Sequence, residues 1–393
     1  MRAALLLLAV IAVSACVNLP FFQGKVGFGP SSVTEENPDM LFDVTAVQPE
    51  VKAGRTLTIE YLVQNKHEIF DMEKVNLNVY DLCLMGGKGG IFTDLTLKPN
   101  RTKSTSEKYS VGSTDFEKSC EIKFRGSYKG HFEASQDVAV LTQAEYDLRS
   151  QRGTLGEINP LSSASRNAVT MTISFLESQP YVDGDKVRMY IDYRNNADGI
   201  IDKLSSMKSF SSWKCNLSDP NFADCELQIK DKLSFVLLHI DMGCTNCIPK
   251  RTIVYFYDDS GKEILQQAYQ SPKTVDTYRI KFPEASVDKI RVLILYDHLQ
   301  GYFNKDKSKL YNSGAGVYFI ASNNIEGTCT DYDKLSNYFI LRRDLKFTAG
   351  SAPQTTCNFI AKASQPVDSK TISFFMNYDY AMDGSIIAKV LPK

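Results

Sequence analysis

The chain has 393 residues, with Lys+Arg 45 against Asp+Glu 46, 43% hydrophobic and 23% charged residues. That balance excludes a disordered or collagen-like chain. It also lacks the basic surplus that concentrates nucleic acid, so nucleic acid is not an expected partner. The length allows roughly two or three domains, and Tyr 20 plus Phe 22 against Trp 1 favours strands.

Arg2 supplies a positive start, Ala3 to Ala15 form an uncharged apolar run, and Ser14 and Ala15 precede Cys16. Together they form an export signal. At 1.5 Å per residue the run is too short to span a hydrocarbon core of about 30 Å. Val13-Ser14-Ala15-Cys16 resembles the lipobox of prokaryotic lipoproteins. The resemblance implies that residues 1–15 are removed and that Cys16 becomes a lipidated N-terminus holding the protein to a membrane. The other reading is a plain secretory peptide with Cys16 an incidental thiol. Residues 16–39 are rich in Gly, Pro, Ser and Glu and read as a flexible tether.

Eight further cysteines remain: Cys83, Cys120, Cys215, Cys225, Cys244, Cys247, Cys329 and Cys357. An even number in an exported chain suggests disulfides, and sequence alone does not choose their connectivity. Joining neighbours gives 83 with 120, 215 with 225, 244 with 247, and 329 with 357.

After the tether the apolar period becomes two. Leu57, Ile59, Tyr61 and Val63 alternate with polar neighbours, and Val75, Leu77 and Val79 follow. The Gly-Gly-Lys-Gly-Gly run at 86–90 reads as a turn, because no Gly-Lys-Ser/Thr ending or helix follows it. Strands at Glu121–Gly126 and His131–Leu141 complete an immunoglobulin-like sandwich over 40–142. Residues 143–165 read as a linker.

A similar pattern returns 130 positions later. Gly54 matches Gly184 and Asn65 matches Asn195, each pair bracketing an alternating strand. Joining 166–204 to 326–393 makes 107 residues, near the 103 of 40–142, so a second sandwich is expected to be split. Residues 205–325 then form an insert with strands at Phe235–Ile240, Arg251–Tyr257, Tyr278–Phe282 and Lys289–Tyr296. Asp258-Asp259-Ser260-Gly261 marks a hairpin between two of them. Val51 to Asn65 and Val182 to Asn195 resemble the cell-adhesion-related modules of bacterial and archaeal surface proteins, which implies adhesion and display. The insert resembles the jelly-roll sandwiches of carbohydrate-binding modules. The fold class expected is all-β: tandem immunoglobulin-like sandwiches with an inserted jelly-roll-like sandwich.

Chemical motifs are sparse. Cys244-Thr-Asn-Cys247 has redox spacing, but its flanks are strand-like and a structural bond is the simpler reading. His67, His131, His239 and His298 stand in no hydrolase or zinc motif. Asp183 with Asp185, Asp258 with Asp259, and Asn196 to Gly199 adjoin glycines and read as turns. No cofactor, metal or catalytic residue is expected. Trp213, Tyr255, Phe256, Tyr257, Tyr302, Phe303, Tyr311, Tyr318 and Phe319 crowd the insert; those not in its core can stack on sugar faces. Asn100 and Asn216 begin glycosylation sequons.

The expected function is a lipid-anchored, non-catalytic binding or adhesion protein of the cell envelope, with polysaccharide or a surface protein as partner. Carbohydrate or substrate capture through the insert is the alternative. A thiol oxidoreductase at Cys244 and Cys247 is a third.

Overall fold

The computed structural model describes residues 37–393 apart from 87, 88, 159, 220, 244–248, 271, 272, 274, 297–302, 313–315 and 323–325. Its elements are nearly all strands. The first stretch runs β1 (Met40–Ala46), β2 (Glu50–Lys52), β3 (Thr56–Asn65), β4 (Met72–Asp81), β5 (Met85–Gly86), β6 (Gly90–Leu97), β7 (Thr102–Val111) and β8 (Lys118–Leu141). After helix α1 (Gln143–Arg152) come β9 (Ser162–Ala164), β10 (Val169–Phe175), β11 (Tyr181–Val182), β12 (Lys186–Asn195) and β13 (Lys203–Leu204). The insert holds β14 (Lys208–Phe210), β15 (Lys214–Asn216), β16 (Phe222–Asp241), β17 (Pro249–Tyr257), β18 (Glu263–Gln270), β19 (Val275–Tyr296) and β20 (Lys309–Asn312). The chain closes with β21 (Val317–Ala321), β22 (Glu326–Cys329), β23 (Tyr332–Leu335), β24 (Tyr338–Leu341), β25 (Leu345–Lys346), β26 (Ser351–Ile360) and β27 (Val367–Leu391).

Period-two patterning places these strands. Leu57, Ile59, Tyr61 and Val63 of β3 are all fully buried, and so are Val75 and Leu77 of β4 across the core. Each such side chain contributes about 1.5–3 kcal/mol by leaving water. In the first sandwich β1, β3, β7 and β5 form one sheet, and β6, β4 and β8 lie in the other. In the second, β10 pairs with β12 and β12 with β26, and the sheet continues through β22, β23, β24 and β21 to β27. Segments 166–204 and 326–393 therefore share one sheet.

The first sandwich is not closed by residues 40–142 alone. β8 pairs with β27 antiparallel in unbroken register from Val367 opposite Leu141 to Val390 opposite Lys118. At about 3.3 Å per residue the two strands run side by side for nearly 80 Å. The first half of β8 belongs to the first sandwich, where the last half of β27 completes the sheet. Past Lys129 the roles reverse, and the boundary expected at residue 142 falls after a strand both sandwiches use. The separate strands expected at 121–126 and 131–141 are one, because Gly126 and Gly130 do not break it: they make room for the rings of Phe42 and Tyr378.

The repeat extends to individual hydrogen bonds. Gly54 N donates to Val111 O and Gly184 N to Ala361 O; Asn65 N donates to Arg101 O and Asn195 N to Gly350 O. Both glycines adopt positive φ, 78° and 91°, which a side chain would strain. β2 pairs in parallel with the end of β27, and β11 with the end of β8. Equivalent positions on the two long strands are 250 apart, which superposes Ile122 on Ile372, Phe124 on Phe374 and Tyr128 on Tyr378. A pseudo-twofold passes through the directly opposed pair Lys129 and Asp379.

Two expectations are corrected by local structure. The tether expected over 16–39 stops before Asn37, since Asn37 and Asp39 have no solvent exposure. The linker at 143–165 contains α1, capped by Thr142, whose side chain accepts from Glu145 N, and ended by Gly153 in the left-handed region.

Candidate binding surfaces

The insert is one sheet folded over itself. Register shifts between Gln228 and Asp231 and between Leu233 and Phe235, with Lys230 at φ 52°, bend the antiparallel β16–β19 pair into two layers. Ala223, Leu227, Ile290 and Val292 of one layer meet Val236, Leu238 and Ile280 of the other in a core of their own. The outer side of the second layer docks on the second sandwich: Leu237 and Tyr311 form a small apolar cluster with Tyr318, Ile340 and Phe375. Arg279 lies over the rings of Phe235 and Phe375 at 4.8 and 4.6 Å, sealing that seam.

The outer side of the first layer faces the opposite way. Register sets Glu226, Arg291, Tyr255 and Gln266 in one row and Gln228, Lys289, Tyr257 and Glu263 in the next. Tyr255 and Tyr257, both half-buried, lie 6.3 Å apart with rings 19° from parallel. Lys289 sits 5.0 Å over the Tyr257 ring and binds Glu226 at 3.0 Å. Arg291 grips Asp224 through two bonds of 2.8 and 2.6 Å, which raises its pKa further above the ordinary arginine value. Flat rings flanked by polar groups already held in place suit a ligand with an apolar face and hydroxylated edges.

Other aromatics of the insert region are structural. Trp213 is buried, donates Nε1–H to Ser308 O and packs edge-on to Phe303. Phe256, Phe303 and Tyr311 are buried as well, and so are Tyr318 and Phe319, which lie on β21 of the second sandwich rather than in the insert. Tyr302 lies outside the described residues.

A second polar site lies where the two sandwiches begin. Asp39, at the head of β1, has no exposure; its Oδ2 accepts from Tyr378 OH at 2.5 Å and Tyr128 OH at 2.9 Å, and its Oδ1 from Asn167 Nδ2 at 3.1 Å. Burial raises the Asp39 pKa against these donors, and burial also lifts both tyrosines well above their usual range. The equivalent position in the second sandwich, reached through the matching bonds Lys66 N to Asp39 O and Asn196 N to Ala168 O, is Ala168. His67 is buried nearby, and its Nδ1 accepts from Ile69 N and Phe70 N at 3.2 Å each.

Among the described residues three disulfides are formed: Cys83–Cys120, Cys215–Cys225 and Cys329–Cys357. The last two link directly opposed residues of adjacent strands. Such bonds belong to the extracellular or periplasmic side of a membrane. Cys16, Cys244, Cys247 and His298 lie outside the described residues. Asn100 and Asn216 are exposed. His131 is engaged by Asn377 at 2.6 Å and Glu133 at 2.9 Å, and His239 by Thr277 at 2.9 Å. Asp185 and Asp258 accept backbone N–H bonds within their turns, and Asp183 accepts one from Ala363 N. Among the described residues no group of three His, Cys, Asp or Glu side chains is placed to hold a metal, and no helix is long and apolar enough to cross a membrane.

No family model matches the chain, and no curated protein does. Among solved structures it is similar to a two-domain protein of unknown function from Bacteroides fragilis NCTC 9343, at 11% identity over 70% of this chain and 95% of that one, TM-score 0.20. It is also similar to a structure from the β-sandwich superfamily of carbohydrate-binding modules, at 7% identity over 70% and 96% of the two chains, TM-score 0.17. A third is the VP2 subviral particle of infectious bursal disease virus, at 8% identity over 93% and 84%, TM-score 0.15.

Proposed function

We propose that this protein is a lipid-anchored, non-catalytic binding protein of the cell envelope, which holds extracellular polysaccharide on the outer face of its inserted sandwich. Cys16 carries the acyl chains, and the two interlocked sandwiches act as a stiff mount. The observation that carries the reading is the outward sheet face: Tyr255 and Tyr257 lie nearly parallel, with Lys289, Arg291 and Glu226 already fixed by ion pairs. Pre-fixed polar groups lose little rotamer freedom on binding, and aromatic faces cover the apolar side of a pyranose ring.

Affinity electrophoresis through gels containing neutral and acidic polysaccharides tests it. The wild type is expected to be retarded by at least one neutral glycan, and Tyr255→Ala with Tyr257→Ala to lose that retardation while keeping its melting temperature. Equal retardation of the double variant, or no retardation by any gel, removes the reading.

A further inference from the structure

A cleft of about 830 Å³ opens between the head of β1, the end of β3 and the segment leading into β10, within the size range of small-molecule sites. Its lining includes Asn37, Lys66, His67, Glu68, Arg166 and Asn167.

Two of its lining residues are buried, with exposures of 7% for His67 and 1% for Asn167, and each keeps an atom without a hydrogen-bond partner: His67 Nε2 and Asn167 Oδ1. Their chemical sense is fixed by what their other atoms do. His67 Nδ1 accepts two backbone N–H groups, which places the ring proton on Nε2; burial lowers the His67 pKa, and the Asn167 side chain lies near enough to raise it in part. Asn167 Nδ2 donates to Asp39 and to His131 O, at 3.1 and 2.8 Å, which leaves Oδ1 as the free end. One buried donor and one buried acceptor thus remain, and burial without a partner disfavours each.

A hydroxyl group is both donor and acceptor and answers the two together. Arg166 is exposed on the rim and brings a guanidinium that matches a carboxylate in two bonds. Lys66 adds a second cation, its Nζ 3.2 Å from Asn37 O, while Glu68 keeps the rim's net charge near plus one and disfavours a dianion. Ile69, 71% exposed, supplies an apolar wall.

We infer that this cleft binds a hydroxylated monocarboxylate of the sugar-acid class, a hydroxyl bridging His67 Nε2–H and Asn167 Oδ1 and the carboxylate meeting Arg166. The site is separate from the sheet face of the insert, and each reading stands or falls alone.

Isothermal titration of the full-length protein with D-glucuronate, D-glucose and acetate tests it. Glucuronate is expected to bind saturably, and glucose, lacking the carboxylate, and acetate, lacking the hydroxyls, about tenfold or more weakly, the factor one charge-assisted bond is worth. Arg166→Gln, an exposed substitution, is expected to cost glucuronate about tenfold with the melting temperature unchanged. Tyr255→Ala with Tyr257→Ala is expected to leave glucuronate binding intact. No saturable heat with glucuronate means that water alone satisfies the two atoms, and overturns the inference. Acetate or glucose binding as tightly as glucuronate, or an indifferent Arg166→Gln, overturns it too.

Discussion

Tyr128 and Tyr378 occupy equivalent places on the two long strands, yet both hydroxyls converge on the single carboxylate of Asp39. That residue breaks the repeat where the described chain begins, and it ties β1 to both sandwiches at once. Gly130 stands directly opposite Tyr378, and a Cβ there would come within 2.4 Å of the ring. Gly130→Ala is therefore expected to cost about 1–3 kcal/mol, read as a lower melting temperature. Burial lowers the pKa of both His67 and His239 below the ordinary 6.5. The unfolded chain takes up protons that the folded one refuses, so this stability is present above about pH 6.5 and is lost as pH falls toward the lowered folded values. Melting temperature is expected to drop between about pH 7.5 and 5.5, and His239→Gln to flatten that slope. The three described cysteine pairs are those that joining neighbours in sequence gives, although the sequence alone left the connectivity open. Asp39 was not legible, because its partners lie 89, 128 and 339 positions away.

Strands were legible wherever one face is buried. The alternation of β3 and β12, their opening glycines and their closing asparagines all follow from half-buried strands between turns. What alternation does not carry is the partner. Glu121–Gly126 and His131–Leu141 read as two strands, and nothing in their period says that they are one or that the end of the chain lies alongside, so the first sandwich looked self-contained. The capped helix α1 was missed although Thr142 and Glu145 stand at capping-box spacing at its start. The Cys83–Cys120 bond ties the turn after β4 to β8, across a separation of 37 residues. Replacing both cysteines with Ala is expected to cost about 3–4 kcal/mol by loop entropy, measured as a shift in the denaturation midpoint. An unchanged midpoint would show that the β8–β27 ladder alone holds this part of the sheet.

At the scale of the molecule, strand sharing makes the two sandwiches one folding unit, with a continuous core running from Met40 to Val390. Calorimetry is expected to show a single transition for them, and deletion of residues 378–393 to abolish folding of the first sandwich as well as the end of the chain, read by loss of its strand signals in NMR. The insert has its own core and docks through a small apolar cluster, so it is the part free to melt separately. A stiff mount of this kind suits a protein that reaches out from a bilayer to hold a polymer. The most direct test is a non-reducing peptide map, by mass spectrometry, of the protein taken from the membrane fraction of its own cells. The expected result is an N-terminal peptide beginning at acylated Cys16, together with the linked pairs Cys83–Cys120, Cys215–Cys225 and Cys329–Cys357. An unmodified chain still carrying Met1, with those thiols free, would contradict the account.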